Sequence, residues 1–442
     1  MLDYLHLAVA IGAIIFGTSL LRLHPFLVLL VVAIGMGFSA GLAPAEVVKS
    51  ITSGFGDTIG SIGIVIVCGT IIGQFLERSG AALAIAERLV RSLGASRTPL
   101  AMNLTGYVVS IPIFCDSGFV ILAPLNRSLS QAAKVPTTLL ACSLAFGLYS
   151  THVFVPPTPG PLAAAAILQA NVGLVMLLGL AVSLPVALSG WAYASFVHRK
   201  ISPSLLELPQ VATDTQTPST NRVPGRVLPF LVPLTLIAVA AIVQVVPASS
   251  LGTFWVSLIG FLGHPVIALL LGVGLALLAA RQWEPLHNSD WFVKGLTDSG
   301  SILLITGAGG AFGKVLRESG FAEEIAKSLI GFDMRISLPF LMAAILKSAQ
   351  GSSTVAMLTT AAIVEPMLEQ LSLASPTARA LVVASTGAGA MVVSHFNDSY
   401  FWVVTQCSSM SPSQALKYFT FGTLIQGITG LATIALLLEY LS

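Results

Sequence analysis

Four short stretches hold the residues of this chain that could do chemistry. In "IPIFCDSGFVILAP", residues 111–124, Asp116 is the one Asp, Glu, Lys or Arg between Thr98 and Asn126. A lone carboxylate in a membrane segment costs about 2.5–3.5 kcal/mol at the bilayer centre, so it marks a place where a ligand or a proton is handled. The rival reading is a helix cap at the helix beginning near Ser117. Pro112, Pro124 and the pair Ser117-Gly118 would break the helix there. "LKSAQGSSTVAMLTT", 346–360, has Gly351, Ser352, Ser353 and Thr354 at its centre. Small hydroxyl residues beside a glycine can expose backbone N–H groups, which favour an anion. "GLYSTHVFVPPTPGP", 147–161, places His152 before a proline-rich break, and "MVVSHFNDSYFW", 391–402, holds His395, Asn397 and Asp398. Thr151-His152 and Ser394-His395 lie 243 residues apart. A histidine in an apolar run is usually a hydrogen-bonded packing residue; two at matching places before helix breaks make function an even alternative. Asp398 lies between the uncharged runs 380–397 and 399–416. Lys347, the one basic residue from Ile336 to Val364, fits either the membrane surface, with its stem buried, or a place near the anion.

The elements that carry these residues are membrane helices. Of 442 residues, 55% are hydrophobic and only 9% charged, where a soluble domain is nearer a quarter charged. Residues 4–21, 23–45, 58–76, 227–280 and 418–438 hold no Asp, Glu, Lys or Arg, nor do the 64 residues of 135–198. About 20 apolar residues span a bilayer. The chain therefore reads as an all-α polytopic membrane protein of about 10–14 membrane segments. No Lys or Arg precedes the first apolar run, which argues against a cleaved signal peptide. Cys68, Cys115, Cys142 and Cys407 all lie in apolar segments and read as buried free thiols. The net charge of +2 sits in short loops and points to no nucleic acid.

The chain also repeats itself. "HPFLVLL" (24–30) matches "HPVIALL" (264–270), and at the same offset of 240 residues 60–90 match 300–330 at 12 of 31 positions. Gly69/Gly309, Gly73/Gly313 and Ser79-Gly80/Ser319-Gly320 are shared. The glycine pairs read as helix packing. The division is a first membrane repeat, 1–197, a polar linker, 198–226, and a second repeat, 227–442. Arg78, Arg88, Arg91 and Arg97 outnumber Glu77 and Glu87, and Arg199, Lys200, Arg222 and Arg226 outnumber the linker's two acids. By the positive-inside rule both segments are cytoplasmic and the N-terminus is outside. Counting spans from the linker makes 300–316 run outward where 60–76 run inward, which is an inverted repeat, a hallmark of secondary transporters. Broken helices at matching positions of two halves are the best sequence pointer to a transporter site, since irregular backbone at membrane depth survives only beside protein or a wet cavity. The bland alternative is a pair of extramembrane loops.

"GAGGAFGKV", 307–315, fails the phosphate-loop spacing at Ala308 and Val315. No H-E-x-x-H or G-x-S-x-G occurs, so neither catalytic residues nor a metal or other cofactor is expected.

Taken together, "GFGDTIGSIGIVI", "IPIFCDSGFVILAP", "HVFVPPTPGP", "AQGSSTVA" and "SHFNDSYFW" resemble the gluconate:proton symporter family, the gluconate permeases, in order over essentially the whole chain. The resemblance implies proton-coupled uptake of gluconate or a related hydroxy-acid anion across the bacterial cytoplasmic (inner) membrane. It leaves the substrate open, because similar carriers take D-serine, glycerate or other sugar acids. The wider ion-transporter superfamily implies re-entrant hairpins and elevator-like movement, and a homo-oligomer, a dimer, is expected. On this reading Asp116, Ser117, Gly118, His152, Gly351, Ser352, Ser353, Thr354, His395, Asn397 and Asp398 surround the substrate, and Asp116, His395 or Asp398 takes the proton. Sodium coupling stays open, since unwound carbonyls and hydroxyls hold Na⁺ as well. A channel would need a continuous polar lining, and an enzyme would need a catalytic motif.

Overall fold

In the computed structural model the described residues are 2–94, 97–199, 223–243, 252–281, 290–320, 334–396 and 398–441. They form helices joined by turns. Five are long and apolar enough to cross a membrane, and two further pairs, bent by 49° and 60°, bring the number to seven. Pro25–Ser39 and Ser337–Ala349 are shorter apolar helices.

The repeat is visible helix by helix. α1 (Leu2–Ile15) is followed by α2 (Pro25–Ser39), which starts after His24 with proline in its first turn. α3 (Pro44–Arg78) then runs into Ser79 and a left-handed Gly80. In the second half α12 (Pro265–Ala280) starts after His264 with proline in its first turn, and α13 (Asp290–Glu318) runs into Ser319 and a left-handed Gly320. Ser79 Oγ donates to the Leu76 carbonyl and Ser319 Oγ to that of Leu316, the same stop in both copies.

α3 and α13 pack directly on each other, and they run antiparallel. Gly54 meets the Gly310 carbonyl, Phe55 meets Gly307, Gly63 faces Leu303, and Ile71 meets Gly295, so one number rises as the other falls. A parallel repeat would have laid equivalent helices in the same direction. This pair therefore shows the inversion by contact, where the sequence reached it by counting spans.

Each copy continues into a hairpin and a broken helix. In the first half α4 (Ala81–Leu93) leads to the hairpin α5 (Thr98–Val109) and α6 (Cys115–Ala133), and then to α7 (Thr137–Phe154), a break at 155–158, α8 (Pro159–Ile167) and α9 (Val172–Arg199). α10 (Val223–Val243) and α11 (Thr253–Leu262) precede α12. In the second half the hairpin is α14 (Ser337–Gln350) and α15 (Ser353–Val364). It is followed by α16 (Pro376–Met391), a break at 392–398, α17 (Ser399–Cys407), a short turn of helix at Pro412–Ala415, and α18 (Phe421–Leu441). The first arm of each hairpin lies tight against the helix that follows it. A side chain at Gly147 on α7 would fall 1.9 Å from the Asn103 carbonyl of α5, and one at Gly389 on α16 would fall 2.1 Å from the Phe340 carbonyl of α14.

The second arms cross over. α6 packs against α17, and α15 packs against α8, so each hairpin meets the broken helix of the other repeat. Phe119 of α6 makes an edge contact with Tyr400 of α17 at 6.3 Å, and Gly160 of α8 lies against Met357 of α15. The repeat glycines serve this core: Gly73 faces the Pro112 carbonyl in the turn of the first hairpin, and Gly313 faces Ala362 of the second.

Two details differ from the sequence reading. The helix break lies at 110–114, ahead of Asp116, and Ser117, Gly118 and Pro124 are all inside α6. Proline is tolerated within a membrane helix because neighbouring groups satisfy the freed carbonyl, so Pro124 marks no end. Of the four free cysteines, Cys68, Cys115 and Cys142 are buried and Cys407 is half-buried.

Candidate functional site

The crossing brings the four polar stretches to one place between the repeats. Four helices begin there: α6 at Cys115, α8 at Pro159, α15 at Ser353 and α17 at Ser399. Their first N–H groups have no partner within the helix, and each helix end carries about half a positive charge.

At the tip of the second hairpin Gly351 takes φ +85° and closes α14, a conformation open to glycine at no steric cost. Ser352 is the N-cap of α15, its Oγ accepting from the Val355 N–H at 3.3 Å. Its side chain is thereby engaged in capping. Ser353 Oγ is hydrogen-bonded to Tyr149 Oη of α7 at 2.7 Å. Tyr149 Oη also approaches the Ala390 carbonyl at 3.3 Å. Thr354 stands in the first turn of α15, half-buried, opposite Gly160.

Lys347, one turn before Gly351, is 0% exposed. Its ammonium donates to Asp398 Oδ2 at 2.6 Å and to the Gly351 carbonyl, and it lies 5.9 Å from the centre of the Tyr149 ring. The structure therefore places Lys347 inside the protein, beside the candidate anion site, and rules out the surface alternative. Asp398, 5% exposed, also receives Ser394 Oγ on the same oxygen and caps α17, its Oδ1 accepting from the Tyr400 N–H at 3.1 Å. His395 lies in the break between α16 and α17, half-buried, and donates through Nε2 to the Ser348 carbonyl at 3.0 Å. Asn397 lies outside the described residues.

Asp116 sits in the first turn of α6, not at its cap, and makes no side-chain capping bond. The capping alternative is thus excluded. Its buried Oδ1 has no hydrogen-bond partner in the protein. The same is true of Nδ1 of His152, which is 8% exposed in the last turn of α7 near Phe114. A buried polar atom left unpartnered costs about 1–3 kcal/mol, so such atoms are where a ligand's hydroxyls bond best. Ser117 is half-buried, and Gly118 is buried against Leu148. Asp116, His152, Lys347 and Asp398 are close enough for their charges to interact.

The assembly is thus one ammonium, two carboxylates, two imidazoles, hydroxyls and four helix N-termini. It can hold a hydroxylated carboxylate: the N-termini and Lys347 suit the carboxylate end, and Asp116, His152 and Ser353 suit the hydroxyls. A cavity of about 240 Å³ between α3, α9, α10, α11 and α12 is not part of this chemistry. Its lining is mostly apolar, with Ser61, Asn171 and His264 as its polar side chains.

Three residues of this constellation are absent from the site set read from the sequence: Tyr149, Ser394 and Lys347, the last of which the sequence leaves between two alternatives. Tyr149 is three residues before His152, one turn away on the same helix, and that spacing was the signal available for it.

Comparison with known proteins agrees with this architecture. The "Gluconate permease" of Pseudomonas aeruginosa is 34% identical over 98% of this chain and 96% of its own length. The "Inner membrane permease YgbN" of Escherichia coli K12 is 34% identical over 92% of each chain, and the "D-serine transporter DsdX" of the same strain is 33% identical over 96% of each. Among solved structures the Alcanivorax borkumensis YdaH transporter shares the fold, with a TM-score of 0.67 at 15% identity, over 95% of this chain and 99% of that one. The family model described as "GntP family permease" matches residues 2–440, and the chain belongs to the GntP permease family.

Proposed function

We propose that this protein is a secondary active transporter that takes up gluconate or a related small sugar-acid anion together with protons across the bacterial inner membrane. The observation that carries the reading is the convergence of four helix N-termini on Asp116, His152, Ser353 and the buried Lys347–Asp398 pair. With Asp116 and Asp398 ionised and Lys347 charged, the cluster bears one net negative charge. A carboxylate entering it would raise that to two in a desolvated space, and taking up protons removes the penalty. Asp116, His395 and Asp398 are the groups available to take them. A monovalent anion needs more than one proton for net positive charge to move inward, and each such charge is worth about 2.3 kcal/mol per 100 mV.

In this reading the repeats 1–197 and 227–442 are joined by the cytoplasmic linker 198–226, and the N-terminus is outside. The hairpins and broken helices move as a unit past α3 and α13, in an elevator motion, and the working form is a dimer. A second reading is favoured by a specific relative: the likeness to the D-serine transporter makes D-serine an alternative substrate. D-serine also offers a carboxylate and a hydroxyl. Uptake of labelled gluconate, glycerate and D-serine into proteoliposomes, with an imposed pH or sodium gradient, tests both. Gluconate accumulation driven by pH supports the first reading, and accumulation driven by sodium alone defeats it.

A further inference from the structure

Lys347 is an unusual choice for the inside of a membrane protein. Its ammonium occupies the point where the opened tip of the second hairpin meets the break between α16 and α17, held by the Gly351 carbonyl and the Asp398 carboxylate. Oxygen ligands from two unwound segments are what a carrier uses to hold a free Na⁺. Here a tethered cation stands on them.

The charge of the same ammonium reaches both Asp116 and His152. Cys115 of α6 feels its charge and the Tyr149 ring of α7 lies beneath it, while Tyr400 of α17 packs on Tyr149 and His395 in the break bonds to the Ser348 carbonyl next to Lys347 on α14. None of these is a second permanent cation.

We propose that Lys347 exchanges partners during transport: the substrate's carboxylate replaces Asp398 on the Lys347 ammonium, and Asp398, left as a buried unpaired carboxylate, takes the coupled proton. This rests on the reading of the chain as a proton-coupled carboxylate carrier. The exchange makes coupling a consequence of geometry. A buried pair broken on one side leaves a charge that the interior does not tolerate, so substrate binding and protonation of Asp398 favour one another. Lys347 keeps its three protons throughout. Asp398 gains one as an O–H when substrate binds from the acidic side, and it loses that proton when substrate leaves and the Lys347–Asp398 pair re-forms. The Ser394 hydroxyl and the Tyr400 N–H, which now hold Asp398, keep its carboxyl in place in either state. No metal cation is needed at this position.

The test is binding of gluconate, glycerate and D-serine to the purified protein, read together with a pH indicator in weak buffer. On addition of the bound compound near neutral pH, the wild type is expected to take up close to one proton per bound molecule. Its affinity should weaken about tenfold per pH unit of rise across the pH range in which that one-proton uptake is seen. Asp398→Asn, a neutral mimic, is expected to flatten that dependence to less than twofold and to abolish the proton uptake. Lys347→Met is expected to weaken binding at least tenfold at every pH. Replacing choline chloride by sodium chloride should change wild-type affinity by less than twofold.

Binding without proton uptake, an unchanged pH slope in Asp398→Asn, near-normal affinity in Lys347→Met, or a tenfold sodium dependence each overturns the exchange. If Asp398→Asn fails to fold, the wild-type proton count and sodium dependence still decide. If none of the three compounds binds the wild type, it is the reading under Proposed function that falls; if one binds but fails these criteria, the exchange alone falls.

Discussion

Tyr149 Oη lies 2.7 Å from Ser353 Oγ, a hydrogen bond that ties the broken helix of the first repeat to the hairpin tip of the second. The two residues are 204 positions apart. The bond holds the first turn of α15 against α7, the helix that also carries His152. Tyr149→Phe removes the hydroxyl and keeps the ring. A net neutral hydrogen bond is worth about 0.5–1.5 kcal/mol, so substrate affinity should fall roughly 2- to 10-fold in binding measurements, with expression retained. Unchanged affinity would mean that the tip is positioned by its backbone alone.

Asp116 should prove to be a substrate contact. Asp116→Ala removes a buried acceptor at a charge-assisted bond worth about 1.5–3 kcal/mol. Affinity for gluconate should drop at least about tenfold. Asp116→Asn retains an oxygen at the same place and should lose less, and pH-driven accumulation should persist in it. Counterflow that survives in Asp116→Asn while pH-driven accumulation vanishes would make Asp116 the proton carrier instead.

The serines at the hairpin tip should separate into two kinds. Ser352 caps α15, so Ser352→Ala should lower stability by about 1 kcal/mol, seen as a lower melting temperature in detergent, together with weaker binding. Ser353→Ala and Thr354→Ala should weaken binding with little change in melting temperature. Full affinity in all three variants would move the site away from this tip.

Gly147 and Gly389 occupy matching close approaches, each facing a carbonyl of the hairpin arm beside it. Gly147→Val or Gly389→Val must push α5 from α7, or α14 from α16. Overpacking of this kind costs typically about 1–3 kcal/mol and often more where backbone is the obstacle. Lost monodispersity in gel filtration, or a melting temperature lowered by several degrees, is the expected result. A well-behaved, fully active Gly389→Val would show that the two helices separate freely.

Orientation is open to direct labelling. Single cysteines placed in 81–97 should react with an impermeant reagent only from the cytoplasmic side, and those in 321–335 only from outside. The antiparallel packing of α3 and α13 requires opposite sides for the segments that follow them. Labelling of both from one side would contradict the inverted arrangement.

The sequence alone determined the class of the molecule, because transfer of apolar side chains into a bilayer is a local property summed along the chain. It also determined the repeat, the Ser-Gly helix stops and the break at Gly351-Ser352, since glycine geometry and helix ends act within a few residues. Asp116, His152 and Asp398 were legible for the same reason: an isolated polar group in an apolar run is costly wherever it is, so it stands out before any fold is known. What the sequence misjudged was also local. Pro124 reads as a helix end, yet it lies within α6, because neighbouring groups supplied by the fold decide whether a freed carbonyl is tolerated.

The tertiary structure alone decided the partners. Lys347 and Asp398 are 51 residues apart, and whether Lys347 reaches the membrane surface or a buried carboxylate depends on where α16 breaks and which way the hairpin folds back. The Tyr149–Ser353 bond and the crossing of α6 with α17 and of α15 with α8 follow from packing between the repeats. Such contacts leave no local period in the sequence, because each partner satisfies its own helix on its own terms. Only when inversion lays the two halves against each other do their helix N-termini meet around one charge.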